Sequence, residues 1–334
     1  MAKERIFGYD ALKALSAYLV VLYHVFLIDL GYVKGQYYFP TLVLIPWLFI
    51  ASSVPLFFMI NGALTVRRNY EAKKLIKKSA QLLFVGVFWG LMQKLFYVVR
   101  AQDISAASNV YITQYWFFFT MAALYIIQLL LRNLPVWCKY VLIVALLIFP
   151  FTTNFIWNVI VFRDPSNKIP LWGSSGALTM YSIVYLYAGD YFAHNDYKYG
   201  KLFRVVCFVL GLSLLMFDAT AVSNYLHKQF DIGSRCLPTL GALFLSISLF
   251  LIIKDWKPRS QKLRQFITFL GNNSMGIYIF HILLLIVVRG LLPELKDMTL
   301  PPVIVMLIAL AYTLVSAVIS ELFRRSPLAF LIKV

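Results

Sequence analysis

The segment Tyr9–Tyr32, YDALKALSAYLVVLYHVFLIDLGY, is long and apolar enough to cross a bilayer, yet it carries Lys13 and His24. Ionisable groups inside hydrocarbon are costly and mark function by default. Eleven residues at about 100° each bring Lys13 and His24 back to one helix face, about 16 Å apart along the axis. The two side chains cannot touch, but one elongated ligand can touch both. A snorkelling lysine and a histidine hydrogen-bonded within a helix bundle account for the same spacing equally well.

The rest of the chain has the same character. Of 334 residues, 61% are hydrophobic and 13% charged, which excludes an ordinary soluble domain. Apolar runs near 11–32, 40–63, 79–99, 115–131, 139–156, 177–193, 202–221, 236–253, 273–291 and 302–321 predict an all-α, polytopic transmembrane helix bundle of about ten spans. It is expected to form a single unit over residues 1–334 with no soluble domain. No small-residue cleavage site follows the first run, so no signal peptide is expected. The longest connection, 155–176, holds the segment WGSSG at 172–176.

A net charge of +17 would suit nucleic acid, but its placement argues for a membrane. The heaviest basic clusters are Arg67, Arg68, Lys73, Lys74, Lys77 and Lys78 after the second run, and Lys254, Lys257, Arg259, Lys262 and Arg264 after the eighth. Both fall on the same side. The positive-inside rule then puts both termini in the cytoplasm of a multi-pass inner-membrane protein, with lipid and not nucleic acid as its surroundings. Cys138, Cys207 and Cys236 are scattered and make neither a disulfide framework nor a metal cluster. There is no Walker loop, no dinucleotide fingerprint and no H-E-x-x-H, which argues against an ATPase, a dinucleotide enzyme or a zinc protease.

Other polar groups mark the runs. His281 falls near the middle of the ninth, in FLGNNSMGIYIFH, where Ser274 or a neighbouring Asn is expected to cap the helix. Asn61 and Gly62 lie near the inner end of the second, just before Arg67 and Arg68. That pair either satisfies the charge rule or grips phosphates, for which the guanidinium fork is well shaped. Lys94, Asp190, Asp218 and Glu321 read as interface or packing residues, and His194 and His227 as solvated loop residues. The aromatic run at 115–119 reads as an interfacial belt first and a substrate wall second.

Four stretches in order resemble the acyltransferase-3 family of integral membrane O-acyltransferases. Asp10, Leu12, Lys13 and His24 resemble its D-x-L-[RK]-x10-H signature. FFMINGALTVRR is similar to its FF-x-x-SG motif with following basic residues, with Asn61 in place of serine. Trp116 to Tyr125 approximates W-F-x-x-x-L-x-x-Y, and Gly271 to His281 resembles G-x-x-S-x-x-I-Y-x-x-H. Lys13 in place of the commoner arginine keeps the charge and loses the bidentate fork.

The resemblance implies transfer of an acyl group, most often acetyl, from cytoplasmic acyl-CoA to a hydroxyl of an envelope, exopolysaccharide or lipid-linked glycan, with no tightly bound cofactor and no metal. On that basis His24 is expected to be a general base or acyl carrier and His281 its polar partner. Lys13, Arg67 and Arg68 would hold the donor's phosphates, with Asp10, Asn61, Ser274 and Trp116 in support. Two other classes fit a polar apolar-run pattern: a glycan or glycolipid flippase without acyl chemistry, and a catalytically silent sensor.

Overall fold

The computed structural model describes residues 5–25, 45–67, 70–101, 115–147, 151, 178–195, 198–220, 237–292 and 300–332. Helix α1 is Phe7–Val25. Helix α2, Ile45–Leu48, runs through a 3-10 turn at Phe49–Ser52 into α3, Ser53–Thr65. Then come α4 (Ala72–Ala101), α5 (Trp116–Leu131), α6 (Val136–Leu147), α7 (Leu178–His194) and α8 (Lys201–Thr220). They are followed by α9 (Leu240–Ile253), α10 (Gln261–Asn272), α11 (Ser274–Leu291) and α12 (Pro302–Arg325). A last 3-10 turn covers Pro327–Leu331. No strand occurs among the described residues.

Each of the ten apolar runs meets a helix. By length and composition, Ile45–Thr65, Ala72–Val99, Ser274–Leu291 and Pro302–Arg325 are long and apolar enough to cross a membrane, while Trp116–Leu131 and Leu240–Ile253 are apolar but shorter. The chain is thus an all-helical, multi-pass membrane protein.

Helix α1 is central and packs against α3, α10, α11 and α12. Its 19 residues are mostly buried, which keeps its polar groups inside protein. The most extensive helix pair is α3 with α7. Small residues allow it: a Cβ on Gly62 would overlap the Leu186 carbonyl, and one on Gly189 would overlap the Met59 carbonyl. Two helices can approach this closely only where both lack a side chain at the crossing.

Four features depart from the sequence expectation. Helix α4 begins at Ala72, so Lys73, Lys74, Lys77 and Lys78 lie on its first turns and not in a loop. The stretch between the eighth and ninth runs forms α10, whose start is capped by the Ser260 hydroxyl accepting from the Leu263 N–H. Its amphipathic pattern was hidden by its charge. Helix α11 starts with no side-chain cap, because α10 runs into it almost unbroken through Asn273. Tyr115, Phe117 and Phe118 are buried against the core, so the aromatic run is interior wall and not a belt. Arg68, His227, Cys236 and the 155–176 connection lie outside the described residues.

Candidate functional site

The two histidines of the apolar runs meet. His24, in the last turn of α1, places Nδ1 3.2 Å from Nε2 of His281 on α11, with ring centroids 5.0 Å apart. Their protonation follows from the partners. His281 Nδ1 lies 2.9 Å from the Ile277 carbonyl, which only accepts, so Nδ1 carries the proton and Nε2 of the neutral ring accepts. His24 Nδ1 faces two acceptors, the Val20 carbonyl at 2.9 Å and His281 Nε2, so it too is protonated. In this tautomer His24 Nε2 is the nitrogen that carries no proton. His281 is fully enclosed, whereas His24 is half-buried.

The wall beside the pair is aromatic. Tyr278, one turn before His281, contacts Phe117 and Phe118 of α5 at ring separations of 5.3 and 5.6 Å. Phe117 in turn contacts Phe57 of α3 at 5.6 Å. Trp116 is half-buried and lies against Phe58. Among the described residues, the buried hydroxyls of Tyr115 and Tyr181 have no hydrogen-bond partner.

Asn61 continues the wall toward the other end of α3. Its side chain donates to the Phe57 carbonyl and accepts from the Tyr125 hydroxyl at 3.2 Å, so the residue that departs from the family's serine ties α3 to α5. The ammonium of Lys78 sits over the rings of Tyr125 and Tyr70 at 5.4 and 5.3 Å. Tyr70 then lines a cavity of about 390 Å³ where the ends of α3, α5 and α7 meet the starts of α4 and α6.

That cavity holds Arg67. Its Nε donates to Asp190 at 3.1 and 3.4 Å, and Asp190 also takes His194 at 3.2 Å. Asp190 is thus the ion-pair partner of Arg67, and His194 lies against it on α7, where the sequence suggests a packing residue and a solvated loop residue. Arg132 and Lys139 line the same cavity, with Tyr140 and Tyr187. Neither cation was singled out from sequence, because each lies at a helix end where the charge rule already explains it.

The remaining candidates gather at α1, α10 and α12. Asp10 accepts from Arg5 at 2.5 Å, and Arg5 also bonds the Asn272 side chain. Lys13 is half-buried one turn on, and no hydrogen bond or ion pair among the described residues engages its ammonium. It does not line the Arg67 cavity. Ser274 is buried at the α10–α11 junction. Beside it Asn273 bonds Glu321 and Ser320, and Glu321 pairs with Arg325 at 2.9 Å. These contacts brace α1 and α11 against α12. Among the described residues no three His, Cys, Asp or Glu side chains converge as a metal site requires.

The class the fold defines is an all-helical, multi-pass membrane protein, with a pair of histidines in contact and basic residues gathered at the ends of several helices. Residues 6–321 match the acyltransferase-3 family, described as an acyltransferase domain. The chain belongs to that family. No curated protein and no solved structure matches it.

Proposed function

We propose that this protein is an inner-membrane O-acyltransferase that moves an acetyl group from cytoplasmic acyl-CoA to a hydroxyl of an envelope or exopolysaccharide glycan. Family membership supports acyl transfer, and the observation that carries the assignment of chemistry is the His24–His281 contact. With both Nδ1 positions protonated, His24 Nε2 acts as the general base. It takes the proton of the acceptor hydroxyl as that oxygen attacks the thioester carbonyl. The C–O bond forms, the C–S bond breaks, and the same proton passes from Nε2 to the departing thiolate. The charge that develops on His24 is shared through Nδ1–H with the Val20 carbonyl and His281 Nε2, so His281 acts as a positioning residue. Both termini are on the cytoplasmic side in this reading, which the basic clusters support.

The test is mass spectrometry of envelope glycans from cells carrying wild-type protein, His24→Ala protein or none. The expected result is an acetyl mass present only with wild type. Unmodified glycan in every case, with altered export, would replace this reading with a flippase.

A further inference from the structure

We infer that the donor's nucleotide end binds in the Arg67 cavity on Arg132 and Lys139, and not at Lys13. This rests on the acyl-CoA reading above and assigns it a place.

Charge is the first argument. Three cations, Arg67, Arg132 and Lys139, face the cavity with one carboxylate, Asp190. Arg67 is committed to that carboxylate, so the positive charge left for an incoming anion is that of Arg132 and Lys139. The α5–α6 turn holds these two side by side: Lys139 Nζ donates to the Arg132 carbonyl at 3.1 Å, and the turn closes through Leu134 N–H to the Leu131 carbonyl. The Arg132 guanidinium has no hydrogen bond or ion pair among the described residues. A planar fork and a point charge one beside the other suit a group with more than one phosphate.

Shape is the second argument. About 390 Å³ is the size of a small-molecule site, and its wall carries Tyr70, Tyr140 and Tyr187, which suit a flat base beside phosphates. The third argument is direction. From Tyr70, contacts pass through Lys78, Tyr125 and Asn61 to Phe57, then through Phe117 and Tyr278 to His281. The cavity and the histidine pair are thus the two ends of one line of contacts along α3 and α5. The competing basic cleft, lined by Arg5, Arg259 and Arg264 beside Phe7, has its Arg5 bound to Asp10 and its Arg264 over the Phe7 ring, which leaves Arg259 as its one uncommitted cation among the described residues, against two in the Arg67 cavity.

The experiment uses the full chain in lipid nanodiscs, with adenosine 3′,5′-bisphosphate and acetyl-CoA as probes in calorimetric titrations at two salt concentrations. Arg132→Ala and Lys139→Ala are each expected to weaken both probes about tenfold, the size of one charged hydrogen bond, and to remove much of the salt dependence. Arg132→Lys should recover part of the loss, and KM for acetyl-CoA should rise with kcat retained. Lys13→Ala and the pair Arg259→Ala/Arg264→Ala should bind as wild type. If wild type binds acetyl-CoA and the Arg132 and Lys139 variants bind it equally well, or if Arg259 and Arg264 carry the loss, this placement is wrong while the acyl-CoA reading stands. If wild type neither binds nor consumes acetyl-CoA, the reading itself falls, and the placement with it.

Discussion

His24 Nδ1 and His281 Nε2 lie 3.2 Å apart although the residues are separated by 257 positions in the chain. The contact makes the two rings unequal, because His24 enters it through its protonated Nδ1 and His281 through its unprotonated Nε2. His24→Ala is therefore expected to lower acyl transfer roughly 10²–10⁴-fold, the usual worth of a general base. His281→Ala should lower kcat by less, and His281→Gln, which can still accept from His24 Nδ1–H, should recover part of it. The measurement is single-turnover transfer by purified, correctly inserted variants. Equal losses at both positions would assign His281 a chemical part of its own.

The α3–α7 crossing gives a stability prediction independent of function. Gly62→Val should be destabilising by about 1–3 kcal/mol or prevent folding, since the added carbons meet the Leu186 carbonyl and backbone cannot swing aside. Gly200, where a Cβ meets nothing, is the control, and Gly200→Ala should be near neutral. Thermal unfolding in detergent, read by loss of monodispersity, separates the two.

Buried tyrosine hydroxyls offer a matched pair. Tyr185 donates to the Leu237 carbonyl at 2.8 Å, whereas the hydroxyl of Tyr181, one turn earlier on α7, has no partner among the described residues. Tyr185→Phe strands an acceptor and should cost about 1 kcal/mol. Tyr181→Phe should be neutral or stabilising, since it removes a polar group that makes no bond. A loss of stability at Tyr181 would reveal a hydrogen bond, for instance to buried water.

What the sequence made legible was chemistry out of place. His24 and His281 stood out because an imidazole inside an apolar run has few bland explanations, and each falls where its helix meets the other. Arg132 and Lys139 did not, because a cation at a helix end is what any membrane protein shows. Their meaning depends on five helix ends converging, which is a tertiary fact. Comparing basic residues at the inner ends of non-adjacent runs, 67 with 132 and 139, is the signal that would have raised them. Helix α10 was hidden because its charges read as loop, although Leu263, Phe266, Ile267 and Leu270 already recur at helical spacing. Lys13 is the opposite case: its spacing from His24 holds, but Lys13 does not line the Arg67 cavity, and spacing along one helix does not say which cavity a side chain serves.

Asp190→Asn is the sharpest separation of structure from binding in the cavity. The substitution keeps size and removes the one carboxylate among the described lining residues. Arg67 is about half exposed, 49% by side chain, while Asp190 is only 5% exposed, so the pair is partly screened and its loss should cost about 1–2 kcal/mol. Arg67 would then be released to face the cavity with Arg132 and Lys139, with nothing opposing it there. Adenosine 3′,5′-bisphosphate should therefore bind the variant several-fold more tightly than wild type at low salt, and the advantage should shrink as salt rises. The same titrations measure this. Weaker binding with an unchanged unfolding temperature would mean that Asp190 serves to aim Arg67 at the ligand, and that the ion pair is part of the binding geometry and not a competitor for it.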